Sequence, residues 1–170
     1  MSNTVAISDK RAEMWKTIII DTLAVSAMYF MPAVAHMLSF PLYLLEPIRL
    51  LIILALVHTN RYNAFALALT LPFFSFIVSG HPVLFKMLII TTEMTLNVFL
   101  FYVGLKLIQN KFLSMIGAIV LSKVFYYIIE YFMLQAALIP TGLGDHPLLL
   151  QAGLVVVLSL YVLLFFKEEA

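Results

Sequence analysis

At 170 residues with 64% apolar and 11% charged side chains, the chain is unlike a water-soluble domain, which is nearer half apolar and a quarter charged. A small domain buries only about two-thirds of its surface, so lipid must cover the remainder. A net charge of +1 gives no footing for a nucleic-acid partner, and the absence of cysteine excludes disulfides, thiolate metal sites and cysteine nucleophiles. The fold class that follows is all-α: a polytopic membrane protein forming a compact bundle of about six transmembrane helices. Residues 1–170 form one transmembrane domain, with 1–15 a short cytoplasmic N-terminal segment. That polar start, followed by a long apolar run without an A-x-A-like site, does not read as a cleavable signal peptide. The runs are continuous rather than alternating, which disfavours a barrel.

A span of about 30 Å of hydrocarbon needs roughly 20 apolar residues. In chain order the expected helices are Lys16 to Leu38, Pro47 to His58, Asn63 to Ser79, Pro82 to Ile108, Phe112 to Leu138 and Pro147 to Phe166. The breaks between them are chemically consistent. Ser39-Phe40-Pro41 and Glu46-Pro47 bracket the first loop, and His58-Thr59-Asn60-Arg61 and Gln109-Asn110-Lys111 are polar turns. Ser79-Gly80-His81-Pro82 and the stretch from Pro140 to Pro147 are rich in breakers, each ending on a proline where a helix can start. The second segment, at about a dozen residues, is too short to cross upright. It is expected to cross either by extending back through Tyr43, Leu44 and Leu45, or to be a broken helix lined by protein.

Six spans place both termini on one side, and that side collects Lys10, Arg11, Lys16, Arg61, Lys106, Lys111 and Lys167. The opposite loops hold Arg49 near a helix start. Basic residues mark the cytoplasmic face, so both termini are expected in the cytoplasm and loops one, three and five outside. Met14, Trp15 and Lys16 suit an interfacial anchor. Asp21 is expected to stay hydrated near the inner end of the first helix, and His36 and His58 to be interfacial.

The sharpest signal is charge within the fourth and fifth segments. Lys86 and Glu93 lie seven residues apart, as do Lys123 and Glu130, so each pair shares a helical face. Counted from the short turn between these helices, Lys86 is level with Glu130 and Glu93 with Lys123, each match of opposite sign. Asn97 lies one turn from Glu93, and Tyr126 and Tyr127 one turn from Lys123. Charges at that depth cost about 2.5–3.5 kcal/mol each on insertion scales, and they normally face a partner or a cavity. Two readings stand: a pair of ion pairs that fix helix packing, or an outward-open polar pocket for a zwitterionic or hydrogen-bonding solute. Exchanging Glu93 and Lys123 is expected to preserve a pair and keep the fold, and so to separate the two.

His81-Pro82, with Lys86 five positions after His81, is echoed by His146-Pro147 with Gln151 five positions after His146. Proline at a helix start accounts for part of this. The alternative gathers His81, His146, Lys86 and Gln151 around one outer mouth, where helix N-termini favour an anionic group. No closely spaced ligand set accompanies the histidines, so no metal and no cofactor is expected. Ala24, Ser26, Ala27, Ala33 and Ala35 make the first helix rich in small residues, suited to close packing or to docking another membrane protein. No nucleotide or nucleophile motif is present.

Six short helices in about 170 residues, cytoplasmic termini, a small-residue first helix, and Ser79-Gly80-His81-Pro82 followed by Thr92-Glu93-Met94 resemble the substrate-binding S component of energy-coupling factor (ECF) vitamin transporters. The likeness is topological over nearly the whole chain and loosely motif-based. It implies a solute pocket between helices four, five and six under loops one, three and five, lined by Lys86, Glu93, Asn97, Tyr126, Tyr127, Glu130, His146 and Gln151. It also implies import of a small water-soluble, vitamin-like compound across a prokaryotic cytoplasmic membrane, with an ECF-type transmembrane coupling subunit and an ATPase pair as partners besides lipid. The family's Ala-x-x-x-Ala face on the first helix is interrupted here, where Met28 follows Ala24 and Met31 follows Ala27. Two further classes remain: a scaffold similar in size and span count to the rod-shape protein MreD, and an intramembrane enzyme acting on lipid with Glu93 or a histidine as acid/base. Deep, mutually paired charges argue against the enzyme.

Overall fold

The computed structural model describes residues 2–38, 41–80, 82–139 and 148–167. Their apolar runs form six α-helices: α1 (Ser2–Leu38), α2 (Pro47–His58), α3 (Arg61–Ser79), α4 (Leu84–Ile108), α5 (Lys111–Gln135) and α6 (Leu148–Phe165). A 3-10 turn, Leu42–Leu45, precedes α2, and no strand occurs among the described residues. Helices suit lipid because each satisfies its backbone N–H and C=O groups within its own segment, without the closed barrel that strands would need. Four stretches among the described residues are long and apolar enough to cross a membrane: Arg11–Leu38, Arg61–Ser79, Leu84–Ile108 and Lys111–Gln135. This is the build of a membrane protein. The first helix begins at Ser2 rather than near Lys16, so α1 has 37 residues and carries the polar N-terminal stretch as continuous helix.

Local chemistry sets the turns. Asn60 caps α3 by accepting from Asn63 N at 3.0 Å, and Asn110 caps α5 by accepting from Leu113 N at 3.1 Å. Gln109, with φ of 55°, ends α4 in the left-handed region, so α5 turns straight back along α4. Near this turn a Cβ on Gly104 would stand 3.1 Å from Ser114 Cβ. The lack of a side chain at 104 therefore lets α4 and α5 approach closely, and these two helices share the most extensive contact in the bundle.

The second segment has the expected bounds, Pro47–His58. With 12 residues, α2 is about 18 Å long at 1.5 Å per residue, too short to cross hydrocarbon upright. It packs on α1, α3, α4 and α6, and Ile52, Ile53, Ala55 and Leu56 are each at most 1% exposed. A helix apolar all round belongs in the interior; here protein covers most of it, with Leu50 and His58 left exposed. The rest of the chain wraps it in sequence, α3 on α4, α4 on α5 and α5 on α6, with α1 against α2 and α3. On α1, Ala24 and Met28 are buried against the core, while Ile19, Leu23, Tyr29, Phe30 and Met37 are exposed. On α5, Val120, Leu121, Val124, Ile128 and Phe132 form an exposed apolar stripe, the surface that lipid solvates.

Polar contacts hold one end of the bundle. Asn63 Nδ2 donates to Asp21 Oδ1 at 2.8 Å, tying α3 to α1. Asp21 is thus paired and half-buried rather than merely hydrated. His58 Nε2 and the Tyr161 hydroxyl lie 2.6 Å apart, linking α2 to α6, and both His58 and His36 are exposed. Lys111 Nζ donates to the Phe166 carbonyl at 3.0 Å, where α6 ends.

A buried charge cluster as the candidate functional site

Helical spacing puts Lys86, Glu93 and Asn97 on one face of α4 and Ser122, Tyr126 and Glu130 on one face of α5. The tight α4–α5 turn brings the faces together. Lys86 Nζ lies 3.5 Å from Glu130 Oε1, and Tyr126 donates its hydroxyl to the same oxygen at 3.1 Å. One residue along, Tyr127 donates to Gln151 Oε1 at 3.1 Å, joining α5 to α6. These five residues form an outer group.

An inner group is organised from α2. Arg49, three residues into that helix and 1% exposed, donates Nη1 to Glu46 Oε2 and Nη2 to Glu93 Oε1. Lys123 Nζ pairs with Glu46 Oε1 and stands 4.0 Å from Glu93 Oε1. The expected match of Glu93 with Lys123 is therefore the longest contact of the group, because each has a nearer partner, Arg49 in α2 for Glu93 and Glu46 just before α2 for Lys123. Glu46 stands between the 3-10 turn and α2 with φ of 48°, and its N–H donates to Tyr43 O at 3.1 Å. Glu93 is the tenth residue of α4, so α2 starts level with the interior of a helix long and apolar enough to cross a membrane, within an arginine's reach. Non-helical backbone at that depth is tolerated where protein buries it or where it lines a cavity.

Three carboxylates (Glu46, Glu93, Glu130) thus face three cations (Arg49, Lys86, Lys123), and the cluster is neutral. The remaining seven of the chain's ten Lys and Arg are those of the basic termini and turns. Three N–H donors in or beside the cluster have no acceptor among the described residues: Arg49 Nε, Asn97 Nδ2 and Gln151 Nε2. Their residues are 1%, 1% and 7% exposed. A buried donor left without a partner costs about 1–3 kcal/mol.

Of the residues expected to line a pocket, Lys86, Tyr126 and Glu130 meet, Tyr127 meets Gln151, Glu93 joins the inner group, and Asn97 is buried one turn below it. His146, like His81 and the breaker-rich stretch 140–147, lies outside the described residues. Two shallow grooves of about 410 and 400 Å³ open on the bundle surface. One is lined by Val124, Tyr127, Ile128, Tyr131 and Phe132, and the other by α3 and α4 residues including Phe65, Thr92 and Phe99. Lys86, Glu93, Asn97, Glu130 and Gln151 line neither. Among the described residues no three His, Asp or Glu side chains converge as metal ligands.

Arg49 and Glu46 are the members that sequence reasoning missed as site residues. Arg49 reads as an outer-loop charge near a helix start, yet it is among the most buried large side chains. The signal was its setting: an arginine three residues after a glutamate, directly before an unbroken apolar run, where no water is at hand to solvate it. Comparisons with family models, with curated proteins and with solved structures find no match to this chain.

Proposed function

We propose that the chain is a membrane-embedded solute-binding subunit. It captures a small water-soluble, vitamin-like compound for import and works with a separate ECF-type coupling subunit and an ATPase pair. The observation that supports this is the set of unanswered donors. A polar network built only to pin helices satisfies its members, since a half-satisfied network is worse than an apolar core. Here Arg49 Nε, Asn97 Nδ2 and Gln151 Nε2 are buried N–H donors without acceptors among the described residues, and a molecule rich in carbonyl or carboxylate oxygens would answer them. The break before α2 adds weight, because membrane carriers place substrates at interrupted helices. Mass spectrometry of gently solubilised protein, after incubation with a mixture of water-soluble vitamins, tests the reading. A compound retained near one per chain, and released by Arg49→Met, is expected; a well-folded preparation that retains none overturns it.

In this reading the membrane is the cytoplasmic membrane of a prokaryote with both termini inside, as the placement of seven basic residues favours. The cysteine-free chain makes the test clean. Cysteine in Leu143→Cys should react with an impermeant maleimide on intact cells, and reaction only after permeabilisation contradicts the orientation. A second reading, an MreD-like scaffold without a ligand pocket, draws on the fact that the cluster's charges line neither groove.

A further inference from the structure

The two carboxylates that share Arg49 are held very differently. Glu93 belongs to the unbroken helix α4 and is 4% exposed. Glu46 belongs to no helix. It sits at φ of 48°, in the left-handed region that side chains with a Cβ rarely adopt, on a turn whose backbone bonds are Leu44 N to Pro41 O and Glu46 N to Tyr43 O. Its side chain and that of Lys123 are 13% and 16% exposed, against 1% and 5% for Arg49 and Glu93. Glu46 therefore stands on the accessible side of the inner group. Its two oxygens are divided between two helices, Oε2 to Arg49 on α2 and Oε1 to Lys123 on α5, the way a free carboxylate is gripped by two cations.

With Glu46 withdrawn, Arg49 and Lys123 face Glu93 alone, leaving a buried unit of positive charge at the N-terminus of α2. That helix end favours an anion, and Arg49 Nε offers a further donor that no described residue answers. We propose that the Glu46 carboxylate is an exchangeable internal anion, filling from within the chain the place between Arg49 and Lys123 that a solute carboxylate takes. This rests on the solute-binding reading and narrows its solute to a carboxylate-bearing one. Exchange would also free the 3-10 turn, coupling occupancy of the site to the first outer loop.

Chemical rescue tests it, with formate as the probe. Glu46→Gly removes the carboxylate while suiting the left-handed backbone. Its thermal unfolding is compared in sodium formate and in sodium chloride of equal ionic strength. Formate should raise the midpoint of Glu46→Gly by about 3 °C or more over chloride, leave the wild type within about 1 °C, and lose its effect when Lys123→Ala is added. Glu46→Ala, which also vacates the place between the two cations, is the second variant and should show a gain of the same sign. Absence of a formate-specific gain in both variants, or a gain that survives Lys123→Ala, overturns the proposal. A formate gain in a protein that retains no vitamin in the mass spectrum keeps the exchange site and removes the vitamin-import reading; the converse result keeps import and removes the exchange site.

Discussion

Two charge groups occupy the same pair of helices, and they are built on different terms. The outer one is an affair of neighbours: Lys86 of α4 meets Glu130 of α5 at 3.5 Å, a tyrosine steadies the carboxylate, and the lysine side chain is 21% exposed. The inner one adds a third element, because Arg49 of α2 takes Glu93 while Glu46 takes Lys123. Lys86 is the most exposed cation of the two groups, while its partner Glu130 is itself buried. A buried charge whose partner is removed is strongly destabilising, by about 3–5 kcal/mol. Equal spacing along α4 and α5 thus conceals unequal consequences, and the difference is made by the short helix packed against them.

Charge exchange is the strongest way to break the comparison. Glu93→Lys with Lys123→Glu restores opposite signs between those two positions, but it sets an ammonium against Arg49 and a carboxylate against Glu46. The expectation from spacing alone, that this exchange keeps a pair and the fold, is corrected by those nearer partners. Little folded protein should be recovered by size-exclusion chromatography, whereas Lys86→Glu with Glu130→Lys should behave almost as wild type. Equal tolerance of the two exchanges would show the inner group to be no more committed than the outer.

Arg49→Met comes next. It leaves Glu46 and Glu93 to share Lys123 and should lower stability by about 3–5 kcal/mol, a fall of roughly 10 °C in the unfolding midpoint for a chain of this size. Lys86→Met, scanned beside it, should lose less, because it strands one carboxylate rather than two and Tyr126 still donates to that one. The smallest of the three effects belongs to Tyr126→Phe, which removes one hydrogen bond to a buried carboxylate and should cost about 1.5–3 kcal/mol. Because that bond belongs to the outer group, formate rescue of a Glu46→Gly protein should be unchanged when Tyr126→Phe is added. Coupling between the two would merge the groups into one.

Much of the scaffold is legible in the amino-acid sequence. Six apolar runs, asparagines at the short turns, and a proline opening α2 place the helices to within a few residues, except at the N-terminus, where the polar stretch before Lys16 continues as helix. The juxtaposition of α4 and α5 can be read because a two-residue connection forces antiparallel neighbours, so counting outward from the turn gives the level of every charge. Arg49 cannot be placed that way. It is 44 residues from Glu93, no turn length relates the two, and a residue three positions into an apolar helix reads equally as an interfacial cation.

Composition and hydrophobic run length alone determined that this chain is a helical membrane protein, because apolar backbone in lipid has no alternative but to satisfy its own hydrogen bonds. Helix periodicity further determined that Lys86, Glu93, Lys123 and Glu130 face one another across a hairpin. Only the tertiary structure decided which charges are partners. The packing of α2 among α1, α3, α4 and α6 carries Arg49 and Glu46 to the level of Glu93 and Lys123. Partner choice among buried charges follows distance in three dimensions, where the Coulomb energy falls as the separation grows, and the separation was set by a helix too short to cross the membrane by itself.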